Sequence, residues 1–300
     1  MDCIVTSKEY TYRERQEAIK KLCQKYEFLS KFNIGKSCQG KDITALKLGK
    51  CDSYCLITAA IHGSERITAT VLLMFIEQLC RAYKHNGSIE GLNVRKGMLG
   101  RGVIFVPCVN PDGCDISLLG ERACGTNAQI FSNLSKGNFK KWNANSRGVD
   151  LNHNFDADWE ILREKEKMLG IIGPAPTRFG GFRPHSEPET IALVELCRKV
   201  NISHTVALHS QGEVIYWTFG NSILPKAKKM AEIMATSSGY ALDVPISIAT
   251  GGGFKDWFIK EFSRPGFTVE IGKGENPLPA KDAFCIYKQV RELLVLSCIM

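Results

Sequence analysis

The chain has 300 residues, of which 44% are hydrophobic, so it can bury a substantial core within one domain. Its formal net charge is +8, and its lysines and arginines are scattered, with the densest cluster only at Lys226–Lys229. A nucleic-acid-binding protein would usually concentrate this charge on one element with aromatic residues nearby. No apolar run approaches the roughly 18 residues of a membrane span. We therefore expect one domain over residues 1–300 that binds neither nucleic acid nor membrane.

The twelve cysteines do not have the spacing of a disulfide framework. Four lie inside apolar runs, where a free thiol packs as a small hydrophobic group: Cys55, Cys80, Cys108 and Cys197. The first residues contain no basic region followed by an apolar one, which is the pattern of an export signal. We therefore expect a reducing, cytoplasmic location and mostly free thiols.

The first fifty residues predict a helix and two strands that are integral to the domain. Apolar residues recur on one side of a charged helix at 11–27. Residues 28–34 and 43–48 are strand-like, and residues 35–42 between them have the composition of a turn.

The next stretch joins a strand to a helix through a polar turn. An apolar run that begins at Ser53 ends near His62 and Glu65, and a helix-like run follows at 71–76. Open α/β sheets bind ligands at the carboxyl ends of their strands, and His and Glu are both good zinc ligands. An ordinary polar connection is the alternative, with Glu65 in a first helical turn, where the helix dipole favours acidic side chains.

A strongly β-prone run at 101–109 is followed by Asn110–Gly113, which has the composition of a turn. From Cys114 to Asn145 the chain is polar and rich in Gly and Asn, so we expect an irregular, functional loop. Ser186-Glu-Pro-Glu189 then predicts the start of a helix with Ser186 as its N-cap.

The second half of the chain alternates strands with helices. Strands are predicted at 205–209, 214–217 and 266–270, and helices at 222–237 and 280–297. This alternation predicts an α/β domain in which a mixed, largely parallel twisted sheet is flanked by helices.

Ionisable residues stand at three predicted strand ends: His62 with Glu65, His209, and Glu270. A largely parallel sheet places these ends on one edge. Two histidines and one carboxylate can hold a catalytic zinc ion that keeps a position for water and lowers the pKa of that water. Glu270 is then the candidate general base, because no other strand-end carboxylate is left. We therefore expect one Zn²⁺ per chain.

With these residues the chain resembles the zinc carboxypeptidases of the carboxypeptidase A type. The resemblance covers most of the chain and is carried by His62–Glu65, Asn110–Gly113, Gly148–Asn152, Leu208–Ser210 and Thr268–Glu270. It implies that His62, Glu65 and His209 bind zinc. It also implies that Glu270 is the general base and that Asp150 orients a zinc-bound histidine.

The chain departs from that family where the substrate is held. The family clamps a terminal carboxylate with an Asn-Arg pair and a mobile tyrosine. This chain has Asn152 and His153 at the pair and no tyrosine within Pro245–Thr250. Because an arginine fork is the best carboxylate clamp in proteins, the change argues against trimming ordinary C-terminal residues.

The family's transition-state arginine is also missing, because Trp142 is followed by Asn143. Lys141 or Arg147 would supply the positive charge instead, and the sequence leaves both open.

In detail the chain is similar to the bacterial γ-D-glutamyl-diamino acid peptidases of cell-wall peptide metabolism, on the segments His209–Glu213 and Glu270–Pro279. This resemblance implies cleavage between γ-D-glutamate and diaminopimelate or lysine in small muropeptides, and no partner protein is evident. A broader carboxypeptidase and an inactive binding protein on the same fold are the alternatives. The second is disfavoured because all three zinc ligands and the base are present.

Lys255 is the candidate specificity residue. In the family, the residue two before the tryptophan of Asp256-Trp257 lines the pocket for the residue after the cut. A recessed ammonium favours a substrate that brings a carboxylate, as diaminopimelate does and lysine does not. Alternatively Lys255 points into solvent, and His153, Arg183 or Gln211 reads the substrate.

Overall fold

A mixed eight-stranded sheet is the centre of the computed structural model, which describes residues 3–220, 224–243 and 250–300. The strands are β1 (Ser30–Lys36), β2 (Asp42–Leu48), β3 (Tyr54–Ala59), β4 (Ser88–Ile89), β5 (Leu92–Asn93), β6 (Gly102–Val106), β7 (Ile202–His209), β8 (Val214–Tyr216), β9 (Ala241–Asp243) and β10 (Gly266–Glu270). The helices are α1 (Tyr12–Lys25), α2 (Arg66–Lys84), α3 (Val94–Gly97), α4 (Pro111–Leu119), α5 (Ala128–Ser135), α6 (Trp159–Met168), α7 (Pro188–Lys199), α8 (Pro225–Ser238), α9 (Phe254–Phe262) and α10 (Ala283–Ile299).

The strand order is β1-β2-β6-β3-β7-β10-β8-β9, and β4 and β5 form a separate hairpin. The four central strands, β6, β3, β7 and β10, are parallel, and antiparallel pairs join them to β2 and β8. Glu270 of β10 pairs with His209 of β7, and Leu208 pairs with Ala59 of β3, so the three strands end level. The predicted α/β fold is confirmed.

Alternate residues of β6, β3 and β7 enter two hydrophobic cores on opposite faces of the sheet, and β10 contributes to the first of them. In β3, Cys55 and Ile57 pack in a core with residues of α2, α8 and α10, while Leu56 packs with residues of α7 and α9. Successive strand residues point to opposite faces, and a parallel sheet needs helices over both. The buried side of α1 contributes Ala18 and Leu22 to the first core.

The expectation of an irregular segment from Cys114 to Asn145 is wrong. This segment contains most of α4, all of α5 and short 3₁₀ turns at 120–123, 125–127 and 139–141. Asn110–Gly113 is not a free turn but the start of α4: the Asn110 side chain accepts a hydrogen bond from the Gly113 N–H at 2.8 Å. Asn and Pro, which favour turns, are also preferred at the N-cap and first position of a helix.

The start of α7 differs by one residue from the prediction. The N-cap is Glu187 rather than Ser186, and Pro188 occupies the first helical position. The Ser186 hydroxyl donates instead to the Glu187 carboxylate at 2.8 Å.

None of the twelve cysteines, all of which the structure describes, forms a disulfide bond, in agreement with the prediction of mostly free thiols. Within the described ranges, no helix combines the length and the apolar character needed to cross a membrane.

Candidate active site

Four ionisable side chains meet at the edge of the sheet where β3, β7 and β10 end. His209 and Glu270 are the last residues of β7 and β10, and they are register partners. His62 and Glu65 lie in the turn from β3 to α2, where Glu65 is the N-cap residue of the helix. The Glu65 side chain makes no capping hydrogen bond and contacts the two histidines instead. The parallel register therefore determines which side chains meet.

The ligand-type atoms of His62, Glu65 and His209 lie within 4.8 Å of one another. His62 Nδ1 is 2.7 Å from Glu65 Oε1, and His209 Nδ1 is 3.1 Å from Glu65 Oε2. The second contact lacks hydrogen-bond geometry, so Glu65 Oε2 is buried without a hydrogen-bond partner among the described residues. Two imidazoles beside an unsatisfied carboxylate oxygen form a donor set that fits Zn²⁺.

Buried carboxylates give this group an environment that favours a cation. Burial alone would raise the pKa of Glu65, but His62 and His209 lower it to about 2. Burial would lower the pKa of His62, but Glu65 and Asp150 raise it well above its ordinary value. A positive charge is therefore stabilised here while the carboxylates stay ionised.

Asp150 contacts the far side of the His62 ring. Its Oδ1 lies 3.2 Å from His62 Nε2, and its Oδ2 accepts a hydrogen bond from the Arg178 N–H at 2.8 Å. Although burial opposes ionisation, His62 and His153 hold the pKa of Asp150 far below its usual range. A carboxylate at Nε2 keeps the proton on that nitrogen and leaves Nδ1 available to a metal.

Asn110 and Gly63 hold the backbone of the His62 turn. Asn110 Nδ2 donates to the carbonyl oxygens of Ile61 at 3.1 Å and Asn143 at 3.2 Å. A Cβ on Gly63 would lie 2.4 Å from the Gly113 carbonyl oxygen, so only glycine fits there. The start of α4 thus supports the turn that carries two of the three ligand-type side chains.

Two cavities meet at Glu270 and Tyr216, which line both. The inner chamber, about 140 Å³, is the more enclosed; besides these two its lining includes His62, His209, Asn152, His153, Lys255 and Asp256. The outer cleft, about 520 Å³, also includes Ser64, Glu65, Lys141, Asn143, Gln211 and Glu275. A substrate bound across Glu270 would therefore have one part in each cavity.

Asn152, His153 and Lys255 are fixed in the wall of the inner chamber. Asn152 Oδ1 accepts the Phe254 N–H at 3.0 Å, and His153 Nδ1 lies 2.6 Å from Glu166 Oε1. Because Glu166 holds Nδ1 of the His153 ring, Nε2 of that ring remains available to a ligand.

The alternative in which Lys255 points into solvent is wrong, because the residue is only 6% exposed. Its ammonium donates to the Thr218 carbonyl oxygen at 2.5 Å and forms a very short contact with Asp256. The buried charge is therefore compensated, as burial requires.

In the outer cleft, Lys141 forms an ion pair with Glu275 at 2.5 Å, with the two side chains 66% and 77% exposed. Gln211 also lies in this cleft. Arg147, the other sequence candidate for the transition-state charge, lines neither cavity; it lies 3.7 Å from Glu187. The tyrosine-free segment noted in the sequence lies outside the described residues, apart from Thr250.

Asn143 and Tyr216 are cavity residues that the sequence did not single out. Ser64 Oγ donates to Asn143 Oδ1 at 2.5 Å, and Asn143 Nδ2 has no hydrogen-bond partner among the described residues. Tyr216 of β8 pairs with Thr268 of β10, two residues before Glu270. Two features of the sequence could have indicated these residues. Asn143 follows Trp142, where the family has its transition-state arginine. Tyr216 pairs with Thr268, which shares a face of the sheet with Glu270 because strand side chains alternate with a period of two.

The comparisons with known proteins agree with this geometry. A family model described as zinc carboxypeptidase matches residues 16–289. Gamma-D-glutamyl-L-diamino acid endopeptidase 1 of Lysinibacillus sphaericus is 36% identical over 283 residues, which cover 93% of this chain and 70% of that protein. Murein peptide amidase A of Escherichia coli (strain K12) is 26% identical over 207 residues, which cover 67% of this chain and 64% of that protein.

Among solved structures, bovine thrombin-activatable fibrinolysis inhibitor in complex with tick carboxypeptidase inhibitor has the same fold. The superposition has a TM-score of 0.76 at 19% identity and covers 98% of this chain and 97% of that chain.

A second group of ligand-type side chains, Cys38, Glu187 and Glu189, also has its atoms within 4.8 Å of one another. Asn145 Nδ2 donates to Glu187 at 2.8 Å and to Glu189 at 3.2 Å, and the Cys38 N–H donates to Glu189 at 2.9 Å. Because the protein itself satisfies these carboxylates, the group serves to hold α7 against the segment that precedes Asp150.

Burial raises the pKa of Glu189 to about 7, which predicts a pH-dependent stability. Between its ordinary pKa and this value the folded state holds a proton that the unfolded state has lost, so stability falls as pH rises. We expect the free energy of unfolding of the wild type to fall by about 2–3 kcal/mol more than that of Glu189→Gln between pH 5 and pH 8. Denaturant unfolding across this range measures the difference, with Glu195→Gln, at a partly exposed position of the same helix, as control. Parallel curves for wild type and Glu189→Gln would contradict the assignment.

Proposed function

The chain belongs to the zinc carboxypeptidase family and is a zinc metallopeptidase; within that family we propose that it hydrolyses the bond between γ-D-glutamate and a diamino acid, with diaminopimelate preferred, in small peptides derived from the cell wall. The observation that supports this most is the pair of cavities on either side of Glu270, of which the enclosed one contains a lysine ammonium. The relative from Lysinibacillus sphaericus aligns with 93% of this chain, and its name indicates the same bond.

His62, Glu65 and His209 would hold one Zn²⁺, because their donor atoms converge and include an unsatisfied carboxylate oxygen. When bound, Zn²⁺ polarises the scissile carbonyl and lowers the pKa of a water molecule. Asp150 keeps the proton of His62 on Nε2.

Glu270 is the general base. Burial raises its pKa to about 7, although His209 opposes this, and a cation at the neighbouring ligands would lower it again. A carboxylate with a pKa at or below neutrality accepts the proton of the attacking water and then passes it to the leaving amine. Its position at the junction of the two cavities brings it to the scissile bond.

The residue after the cut occupies the inner chamber, because the smaller and more enclosed cavity suits a side chain that ends there. Its carboxylates meet the polar wall made by Asn152, His153 and Lys255. The ammonium of Lys255 reaches the distal carboxylate of diaminopimelate, whereas the distal ammonium of a lysine residue is repelled. Because Asp256 already neutralises part of the Lys255 charge, the preference is moderate.

Asn143 donates to the oxyanion that forms on the scissile carbonyl, in place of Lys141 or Arg147. The Ser64 hydroxyl donates a hydrogen bond to Asn143 Oδ1, so the Nδ2 of the same amide points away from Ser64. A fixed amide donor stabilises developing charge without reorganisation during the reaction.

A matched pair of variants distinguishes the role of the metal ligands from that of the general base. His209→Ala should lose zinc, measured by metal analysis, because only two ligands remain. Glu270→Gln should retain zinc while kcat falls roughly a hundredfold or more, because the amide cannot accept the proton. Full zinc content in His209→Ala would remove that residue from the site, and near-normal turnover in metal-loaded Glu270→Gln would remove the base.

Asn143→Ala should lower kcat by roughly a hundredfold or more, the usual scale for one oxyanion donor, with KM and zinc content little changed. Ser64→Ala, which removes only the hydroxyl that orients the amide, should have a smaller effect of the same kind. Steady-state kinetics on a peptide substrate measure both. An Asn143→Ala variant that changes only KM would show that this side chain binds the ground state.

The proposed reaction is tested by incubating the zinc-loaded protein with L-Ala-γ-D-Glu-diaminopimelate and identifying the products by mass. Release of diaminopimelate is expected, with little cleavage of an ordinary α-linked peptide. Lys255→Gln keeps a donor for Asp256. It should lower kcat/KM for this peptide by an amount equivalent to about 1.5 kcal/mol of transition-state stabilisation, and leave kcat/KM for the lysine-containing analogue nearly unchanged. Equal losses on both peptides would show that Lys255 does not read the distal group, and cleavage of α-linked peptides alone would favour a broad carboxypeptidase.

A further inference from the structure

The outer cleft lies where the acyl part of the substrate must bind. Glu270 and Tyr216 line both cavities, so the bond to be cut lies at their junction. The inner chamber is the more enclosed of the two, whereas the outer cleft continues past Lys141 and Glu275 into a further cavity of about 470 Å³. A peptide that extends away from the cut therefore leaves through the outer cleft.

Lys141 is the one cationic side chain that lines the outer cleft in the described part of the chain. Of the other cations near these cavities, Arg147 is held by Glu187, Lys255 by Asp256 in the inner chamber, and Arg66 by Glu9 at 2.7 Å in the further cavity. Lys140 lines the further cavity but not the outer cleft. An anionic group on the acyl side of the substrate would meet Lys141 first.

The partner of Lys141 is replaceable. Lys141 and Glu275 are both mostly exposed, and an exposed ion pair contributes only about 0–1 kcal/mol. A carboxylate on a bound substrate excludes water from the same ammonium and forms a stronger charge-assisted contact. Exchange of Glu275 for a substrate carboxylate is therefore favourable.

We propose that Lys141 binds the free α-carboxylate of the γ-linked glutamyl residue and so makes the enzyme selective for the acid over its α-amide. The inference rests on the proposed function, because only a γ-linked glutamyl group brings its α-carboxylate to this side of the cut. That carboxylate is attached to the third carbon beyond the scissile carbonyl. An amide at the same place has no charge and presents an N–H donor to an ammonium.

The test compares L-Ala-γ-D-Glu-diaminopimelate with the same tripeptide in which the glutamyl α-carboxyl is an amide. The wild type should cleave the acid with a kcat/KM about tenfold higher, the scale of one charge-assisted contact. Lys141→Gln should lower kcat/KM for the acid to near that for the amide and change the amide little. Glu275→Gln, which frees the ammonium, should keep or widen the preference.

The matched control is Lys199→Gln, because Lys199 is similarly exposed, pairs with Glu195 at 2.9 Å and lines none of these cavities. It should preserve the tenfold ratio. Equal losses on both peptides in Lys141→Gln, or a wild type that does not distinguish them, would overturn this inference while the proposed function stands. No cleavage of either peptide by the zinc-loaded wild type would contradict the proposed function itself, and the inference with it.

Discussion

The parallel register of β3, β7 and β10 is the constraint on which the site depends. Because the three strands end level, His209 and Glu270 are adjacent, and the turn after β3 brings His62 and Glu65 to the same edge. A shift of β10 by one residue would turn Glu270 to the opposite face of the sheet. The helices that bury the sheet therefore also hold the chemistry in place, since β3 and β7 contribute side chains to both cores and β10 contributes Phe267 and Val269 to the first.

The buried carboxylates of Glu65, Asp150 and Glu270 lie at that edge of the sheet beside the imidazoles of His62 and His209, and the two kinds of group compensate each other. Glu65 and Asp150 stay ionised because imidazoles lie against them, and Glu270, which has fewer such partners, has its pKa raised to about 7. A divalent cation at the three ligand-type side chains would favour the ionised form of all three carboxylates. The fit of the site to a metal is thus a property of the whole cluster and not of its three ligands alone.

Strand ends could be predicted from the sequence because apolar runs of β-branched residues have a clear period and clear limits, so His209 and Glu270 were expected at one edge with His62. The local conformation and contacts of individual residues were harder to predict from the sequence. Asn110 and Pro111 favour a turn and a helix start equally, and only the packing under Gly63 decides between them. Whether Lys141 or Arg147 enters the cleft depends on the course of the chain through the 3₁₀ turn at 139–141 and on the distant Glu187, neither of which leaves a periodic signal.

Two ion pairs of the same chemical type stand on opposite sides of Glu270 and differ mainly in exposure. Lys255 and Asp256 are buried, so breaking that pair would leave an uncompensated charge, and the ammonium can only share its partner with a ligand. Lys141 and Glu275 are mostly exposed, so that pair opens at little cost and its ammonium can change partners. Burial therefore makes the inner chamber a rigid template for one side chain, while exposure leaves the outer cleft adaptable. If the bond is cut between them as proposed, the released residue would occupy the more rigid cavity and the peptide beyond the acyl group the more adaptable one.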